Sequence, residues 1–336
     1  MKIFLKILVG IVGLVVLLII GGLIYINTRL PNAGPVEDIT IESTPERVER
    51  GKYLAYHVAL CMDCHSHRNW EYYAGPLIPG TDGIGGELFS DDMGFPGNIY
   101  SKNITAASSG IKDWTDADIF HAITTGVTKS GEPLFPLMPY HNYRQADKED
   151  IYAIIAYIKT LKPVENQVKQ RSLNFPLNLI VRTIPKPADF KKRPETTDTI
   201  AYGRYMTTLA SCGDCHTPQE KGEPIQGMDF AGGLKFIMPW GTIRTANITP
   251  DIETGIGSWT KEQFIKRFKT FDNDAATQIV LKPPFDEGHF NTLMPWTQYA
   301  GMTEEDLGAI YTFLRTVKPV KNKVQKYSAE GATYLK

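Results

Sequence analysis

The sequence predicts an all-α fold in which one N-terminal transmembrane helix is followed by two copies of the same domain. Three observations predict this arrangement. An uncharged run of twenty residues, 7–26, follows Lys2 and Lys6. Several short motifs then occur twice in the same order. Apolar residues recur at helical spacing near the end of each copy, and no alternating strand pattern of useful length is visible.

Length and composition are those of packed globular domains with no strong charge bias. The chain has 336 residues, enough for two domains of ordinary size. Its hydrophobic content of 42% is normal, and 36 basic residues balance 37 acidic residues. We therefore expect no nucleic-acid partner.

The N-terminal segment 1–29 is predicted to be a membrane anchor. A helix over residues 7–26 would be about 30 Å long, which matches the hydrocarbon core of a bilayer. A cleaved signal peptide is the alternative, but its apolar core is usually about 7–15 residues and is followed by a small-residue cleavage site. The lysines ahead of the run predict that the N-terminus lies inside, with membrane lipid as the partner of this helix.

The repeat defines the organisation of the rest of the chain. We expect a tether at 30–44, a first domain at 45–165, a basic linker at 166–197, a second domain at 198–325 and a tail at 326–336. The repeated pairs are Gly51-Lys52-Tyr53 with Gly203-Arg204-Tyr205, Asn103-Ile104-Thr105 with Asn247-Ile248-Thr249, Trp114-Thr115 with Trp259-Thr260, Leu137-Met138-Pro139 with Leu293-Met294-Pro295, and Lys162-Pro163-Val164 with Lys318-Pro319-Val320. Two copies of one domain explain this order.

Each copy is predicted to contain the same helices. The first helices are expected at 45–60 and 198–211, and the last at 148–161 and 304–317. Thr115 and Thr260 look like N-caps of short middle helices, and Asp147 and Thr303 like N-caps of the last ones. Glycine-rich and proline-rich stretches between them are predicted loops.

All four cysteines lie in two pentapeptides of the form C-x-x-C-H. These are Cys61-Met62-Asp63-Cys64-His65 and Cys212-Gly213-Asp214-Cys215-His216. The pattern is the attachment signature of c-type haem: two thiols form thioethers with one porphyrin, and the histidine supplies an axial nitrogen to the iron. Pairs in a four-cysteine zinc site lie roughly 15–20 residues apart, far closer than Cys64 and Cys212. The sequence therefore predicts two covalently bound haem c groups.

The second copy carries further motifs that resemble a known family. They are Asn247-Ile248-Thr249-Pro250-Asp251, Thr254-Gly255-Ile256-Gly257, Trp259-Thr260, Met294-Pro295 and a final helix with Asp306. The arrangement resembles class I c-type cytochromes in tandem, and more closely the multihaem cytochrome c subunits of membrane-bound quinoprotein alcohol dehydrogenases and related dehydrogenases. The resemblance covers about residues 45–320 and implies two domains, each wrapped around a covalent haem. Those subunits usually carry three haems, whereas this chain has two motifs and an N-terminal helix.

Met138 and Met294 are the predicted sixth ligands, opposite His65 and His216. Both occupy the repeated Leu-Met-Pro-aromatic motif, and in class I cytochromes the methionine ligand comes from such a loop. Met238 also precedes a proline, but the first copy has no equivalent. The rival ligands are histidines without a counterpart in the other copy, namely His57, His67, His121, His141 and His289.

Two repeated features leave their role open. Asn103-Ile104-Thr105 and Asn247-Ile248-Thr249 match the N-glycosylation pattern, although their equal positions favour a structural role. Trp114 and Trp259 are expected either near the haem propionates or in the core.

The predicted function is electron transfer by a membrane-anchored dihaem cytochrome c, with no substrate bond made or broken. Its partners would be redox proteins: a dehydrogenase or quinol-oxidising complex as donor, and an acceptor such as a terminal oxidase. Haem attachment outside the cytoplasm predicts a single-pass protein of the bacterial inner membrane, with its haem domains on the periplasmic side. The alternatives are a dihaem peroxidase-like enzyme with one open haem site, and a docking subunit of a larger respiratory complex.

Overall fold

Two crossed helix pairs form the centre of the molecule in this computed structural model, which describes residues 1–333. In the first half, α2 (Pro45–Tyr53) crosses α6 (Lys148–Ile158). In the second half, α8 (Thr199–Leu209) crosses α12 (Glu304–Leu314). A continuous hydrophobic core joins buried residues of both pairs.

Glycine permits both crossings. A Cβ on Gly51 would lie 1.8 Å from the Ala153 carbonyl oxygen, and one on Gly203 would lie 2.0 Å from that of Ala309. Since no side chain fits at these distances, the repeated glycines allow the helices to approach backbone to backbone.

Eight further α-helices complete the set of α-helices in residues 1–333. A π-helical turn, Leu54–Val58, follows α2, and a 3₁₀ turn, Val181–Thr183, follows the short helix Leu177–Ile180. The α-helices are α1 (Lys2–Arg29), α3 (Cys61–His65), α4 (Asp116–Thr125), α5 (Tyr140–Tyr143), α7 (Leu177–Ile180), α9 (Cys212–His216), α10 (Lys261–Lys269) and α11 (Trp296–Tyr299).

The predicted helix starts are confirmed by their caps. Thr115 and Thr260 each accept a hydrogen bond from the third residue of α4 and α10, whose side chains return a bond to the cap. Asp147 and Thr303 cap α6 and α12 through their side chains. Each cap satisfies a backbone N–H that has no partner inside its helix.

The expectation of an all-α chain needs correction, because residues 1–333 also contain small antiparallel sheets. The strands are β1 (Leu88–Phe89), β2 (Gly97–Tyr100), β3 (Ser172–Leu173), β4 (Gln219–Glu220), β5 (Glu223–Pro224), β6 (Lys235–Met238), β7 (Gly241–Arg244) and β8 (Tyr327–Ser328). They form sheets in the orders β1-β2-β3, β4-β5 and β6-β7-β8. Strands of two to four residues are too short to produce a detectable alternation.

The N-terminal helix α1 is exposed along its length, and Ile26 in its last turn is the first residue to become partly covered. It is long and apolar enough to cross a membrane, and none of it is buried. A core helix is thereby excluded, whereas a membrane anchor and a signal sequence share this pattern. The segment expected to be a tether packs on the first half, since Ala33 and Ile41 are buried.

Two equivalent tyrosines join the halves reciprocally. Tyr53 donates a hydrogen bond to the Asp306 carboxylate and accepts one from the Thr303 N–H at 3.1 Å. Tyr205 donates to the Asp150 carboxylate at 2.6 Å and accepts one from the Asp147 N–H at 3.2 Å. Each half therefore holds the start of the other half's last helix in the same way.

Candidate haem sites

Both cysteine motifs form one helical turn, and each turn follows a residue in the left-handed region. Leu60 precedes α3 and Ser211 precedes α9, and both have φ 54°. That conformation costs roughly 1–2 kcal/mol for a residue with a Cβ. Its occurrence at the same place in both halves is typical of strain held at a functional site.

The four cysteines form no disulfide. Burial raises the pKa of the Cys61, Cys64 and Cys212 thiols to about 12. The two cysteines of each motif lie three residues apart on one helical turn.

A backbone carbonyl orients the histidine of each motif. His65 Nδ1 lies 2.6 Å from the Lys102 carbonyl oxygen, and His216 Nδ1 lies 2.7 Å from that of Ala246. A carbonyl only accepts, so Nδ1 carries the hydrogen and Nε2 keeps its lone pair. Burial lowers the pKa of both rings, which favours the neutral form. A neutral imidazole with a free Nε2 is a metal ligand whose tautomer is fixed by its second nitrogen.

The Asn-Ile-Thr motifs hold these carbonyls in place. Asn103 accepts hydrogen bonds from the Thr105 N–H and hydroxyl at 2.9 and 2.8 Å, and donates to the Val164 carbonyl at 2.9 Å. Asn247 makes the equivalent bonds with Thr249 and Val320. Both asparagines are buried, which excludes glycosylation in this fold. Sequence reasoning missed that each motif directly follows the carbonyl that orients a histidine.

Met138 and Met294 lie in matching turns. Both are half-buried against the central core. In both turns the backbone N–H of the residue two positions after the methionine donates a 2.8 Å hydrogen bond to the methionine carbonyl. The intervening Pro139 and Pro295 have φ −80° with ψ 50° and 67°, which is the inverse γ-turn. The proline ring restricts φ to the value that this turn needs. This explains why proline follows the methionine in both copies.

A buried tyrosine connects each methionine loop to the neighbouring cysteine motif. Tyr143 donates a hydrogen bond to the Ala59 carbonyl, and Tyr299 to the Ala210 carbonyl, both at 2.6 Å. Ala59 and Ala210 each stand two residues before the first cysteine of a motif. Sequence reasoning did not identify these tyrosines, although both stand five residues after the methionine.

The methionine and histidines considered as alternative iron ligands lie in environments unlike those of Met138 and Met294. Met238 is buried in a separate cluster around β6 and β7, and His121 is buried on α4. The other four histidines have hydrogen-bonding partners: the Gln298 carbonyl for His57, the Gly85 carbonyl for His67, the Asp214 carboxylate for His141 and the Lys282 carbonyl for His289. Trp114 and Trp259 are half-buried and pack on the core.

The donor set fits porphyrin iron and does not fit a bare metal ion. Within residues 1–333, no group of three or more His, Cys, Asp or Glu side chains is arranged to hold one. Each half instead offers two thiols, one oriented imidazole and one thioether. That set matches haem c, in which two thioether bonds hold the ring and axial ligands hold the iron.

The second cysteine motif contacts the methionine loop of the first half. Asp214 of the second motif accepts hydrogen bonds from Asn142 at 3.0 Å and lies 3.1 Å from His141 Nε2. Asn142 also donates to the Ser211 hydroxyl at 3.1 Å. The methionine loop of the first half therefore contacts the cysteine motif of the second half.

Comparison with known proteins gives one family and several relatives. The family model for cytochrome c matches residues 200–318. The chain is 30% identical over 315 residues to the cytochrome c subunit of the quinone alcohol dehydrogenase of Gluconacetobacter polyoxogenes. This alignment covers 90% of the present chain and 62% of the relative. The chain is also 32% identical over 302 residues to the fructose dehydrogenase cytochrome subunit of Gluconobacter japonicus, covering 85% and 55%. A diheme cytochrome c-type protein of Cereibacter sphaeroides is 26% identical, covering 56% and 63%.

The chain thus spans about three-fifths of the length of the first of these curated relatives. The match to the cytochrome c family implies covalently bound haem c. The expected resemblance is confirmed: residues 200–318 match the family model for cytochrome c, and most of the chain is similar to the cytochrome c subunits of dehydrogenases.

Proposed function

We propose that this chain is a membrane-anchored dihaem cytochrome c that passes electrons from a dehydrogenase or quinol-linked complex to an acceptor such as a terminal oxidase. One observation carries the proposal. Both halves combine a C-x-x-C-H turn, a carbonyl-oriented histidine and a methionine loop that a tyrosine fastens to the segment before the motif. The family model matches the second half, and this shared geometry supports the same assignment for the first.

In each half the roles are as follows. Cys61 and Cys64, and Cys212 and Cys215, attach the haem. His65 and His216 bind iron through Nε2, and Met138 and Met294 bind it through sulfur. Bound haem supplies a one-electron couple, and thioether ligation raises its reduction potential. The protein positions these donors and joins the methionine loop of the first half to the second cysteine motif.

Haem stoichiometry tests this assignment. Purified chain should contain two haems that acid acetone does not extract. Cys61→Ser/Cys64→Ser and Cys212→Ser/Cys215→Ser should each lose one haem and keep the other. Met238→Leu, away from both motifs, should keep both. A single haem in the unchanged chain, or loss of both from either double variant, would contradict the proposal.

The electron-transfer role is tested in native membranes. After mild detergent extraction, a dehydrogenase should co-purify with this chain. Addition of the dehydrogenase substrate should then reduce the haem of the chain. The peroxidase-like alternative requires an iron with an open site. It would gain support if the reduced unchanged chain bound carbon monoxide at one haem and the protein consumed peroxide.

A further inference from the structure

The linker between the halves exposes an apolar surface beside the last turn of α1. We define this surface, the linker patch, as residues 174–183. Its Phe175 side chain is 80% exposed and Ile180 is 44% exposed. Leu177 and Leu179 are half-buried between them.

The linker patch is an ordered part of the first half. Just before it, β3 pairs with β2 through Leu173 and Gly97. At its end Val181 is buried and Arg182 lies 3.2 Å from Glu132. The Asn174 N–H donates to the Pro96 carbonyl at 3.1 Å. The fold therefore holds these apolar side chains outward, and they do not belong to a loose chain segment.

The position of the linker patch relative to α1 identifies what covers it. The 3₁₀ turn Val181–Thr183 contacts α1. Along α1, Ile26 is the first side chain to be partly covered, so the contact lies at the end of the uncharged run. In a helix that spans a bilayer, this end lies at the boundary between acyl chains and headgroups.

Charge at this level suits lipid headgroups. Arg29, the last residue of α1, and Lys186 in the linker are exposed. Arg182 and Arg193 of the linker are paired with Glu132 and Asp150, so Arg29 and Lys186 supply the positive charge at this level. Asp91, which accepts a hydrogen bond from Asn174 at 2.8 Å, is an acidic group beside the linker patch. Apolar side chains flanked by basic ones are the pattern of segments that lie in a membrane interface.

We propose that the linker patch lies in the bilayer surface next to the anchor, with Phe175 and Ile180 among the ends of the acyl chains. This inference rests on the proposed anchoring by α1. The anchor and the linker patch then form two contacts with the membrane on the same half of the protein. They fix the height and tilt of the haem motifs above the bilayer.

Lipid cross-linking tests the inference on the full-length haem protein. An introduced cysteine is the only free thiol once the native four hold haem. Phe175→Cys, labelled with benzophenone maleimide in liposomes of phosphatidylcholine and phosphatidylglycerol, should form lipid adducts detectable by mass spectrometry. Ile252→Cys is the matched control, because Ile252 is also apolar and is 74% exposed in the second half.

The yield at Phe175→Cys should exceed that at Ile252→Cys severalfold, with haem content unchanged in both. If the chain withstands an alkaline carbonate wash but the yields are equal, the anchor is sound and the linker patch faces water or a protein partner. Release of the chain from the liposomes by the wash would overturn the anchor and, with it, this inference.

Discussion

At the residue scale, one hydrogen bond decides which nitrogen of each motif histidine can bind a metal. The Lys102 and Ala246 carbonyls accept from Nδ1, and both carbonyls directly precede a buried asparagine. The position of the imidazole thus depends on a loop far from the motif in sequence. The methionine loop is held in a similar way, by a tyrosine that donates a hydrogen bond to the segment before the cysteine motif.

We expect Met138→Leu and Met294→Leu each to remove part of the far-red band of methionine-to-ferric ligation. Leucine preserves the volume of methionine but has no sulfur, so the packing cost stays below about 1.5 kcal/mol. Soft sulfur stabilises ferrous iron, and its loss should lower one reduction potential in each variant. Spectroscopy with redox titration measures both effects.

Met238→Leu is the control for these variants and should leave the band and both potentials unchanged. Each ligand variant should also gain carbon monoxide binding at one haem. If neither ligand variant alters the spectrum, the sixth coordination position of the iron is either occupied by a histidine or open. The peroxidase-like alternative then becomes stronger.

His57 should make the contact between the halves sensitive to acid. Its Nδ1 lies 2.7 Å from the Gln298 carbonyl oxygen, and burial lowers its pKa. The unfolded chain, with a histidine pKa of about 6.5, therefore binds a proton more readily than the folded one. Stability is full above that pH and decreases as the pH falls through it.

Denaturant unfolding at pH 8 and pH 5.5 measures this effect. The native chain should lose more unfolding free energy between the two pH values than His57→Gln, in which the proton-binding group is absent. Equal losses would show that His57 does not sense pH. His65 and His216 affect both proteins alike, which makes the difference between them specific.

At the element scale, the crossed helix pairs depend on glycine. We expect Gly51→Ala and Gly203→Ala to destabilise the protein by about 1–3 kcal/mol or more, because the new methyl group overlaps a backbone carbonyl. Gly308→Ala on α12 is a matched control. Its added Cβ would lie 2.5 Å from Lys261 Cε, at the end of a flexible side chain that can shift, and at ordinary contact distance from Ile265. Alanine favours a helix by about 1 kcal/mol.

Thermal unfolding compares the three variants. Destabilisation by Gly308→Ala as large as that by Gly203→Ala would mean that any side chain on these helices is harmful. The close crossing would then not explain the repeated glycine.

The helices could be predicted from sequence, and the two C-x-x-C-H motifs could be recognised in it, because their signals are local. Thr115 and Thr260 are N-cap residues that mark the start of a helix. The C-x-x-C-H motif lies within five consecutive residues, so it can be read without knowledge of the fold. The small sheets could not be predicted, since pairs such as Gly97 with Leu173 join positions far apart in strands of two to four residues. The same holds for the tyrosine that links each methionine loop to its motif, because only the fold brings Tyr143 to Ala59.

At the scale of the whole molecule, the halves are arranged reciprocally, and their hydrogen bonds converge on charged groups. Asp150 is buried and accepts bonds from Arg50, Arg193 and Tyr205. Asp306 is buried as well and accepts from Tyr53 and Tyr202. Tyr53 and Tyr205 are the members of these networks that cross between the halves as equivalents.

Tyr53→Phe and Tyr205→Phe should each lower the free energy of unfolding by about 1.5–3 kcal/mol, the value of a hydrogen bond to a charged group. Each change removes a bond to a buried carboxylate and leaves a helix-cap N–H without its partner, so the two losses should be similar in size. Denaturant unfolding followed at the haem absorbance measures them. Tyr100→Phe is the control, because no side-chain hydrogen bond of Tyr100 is present among the described residues. A large loss of unfolding free energy for one variant and none for the other would show that the two hydrogen bonds do not contribute equally. Only one of the two equivalent tyrosines would then stabilise the contact between the halves.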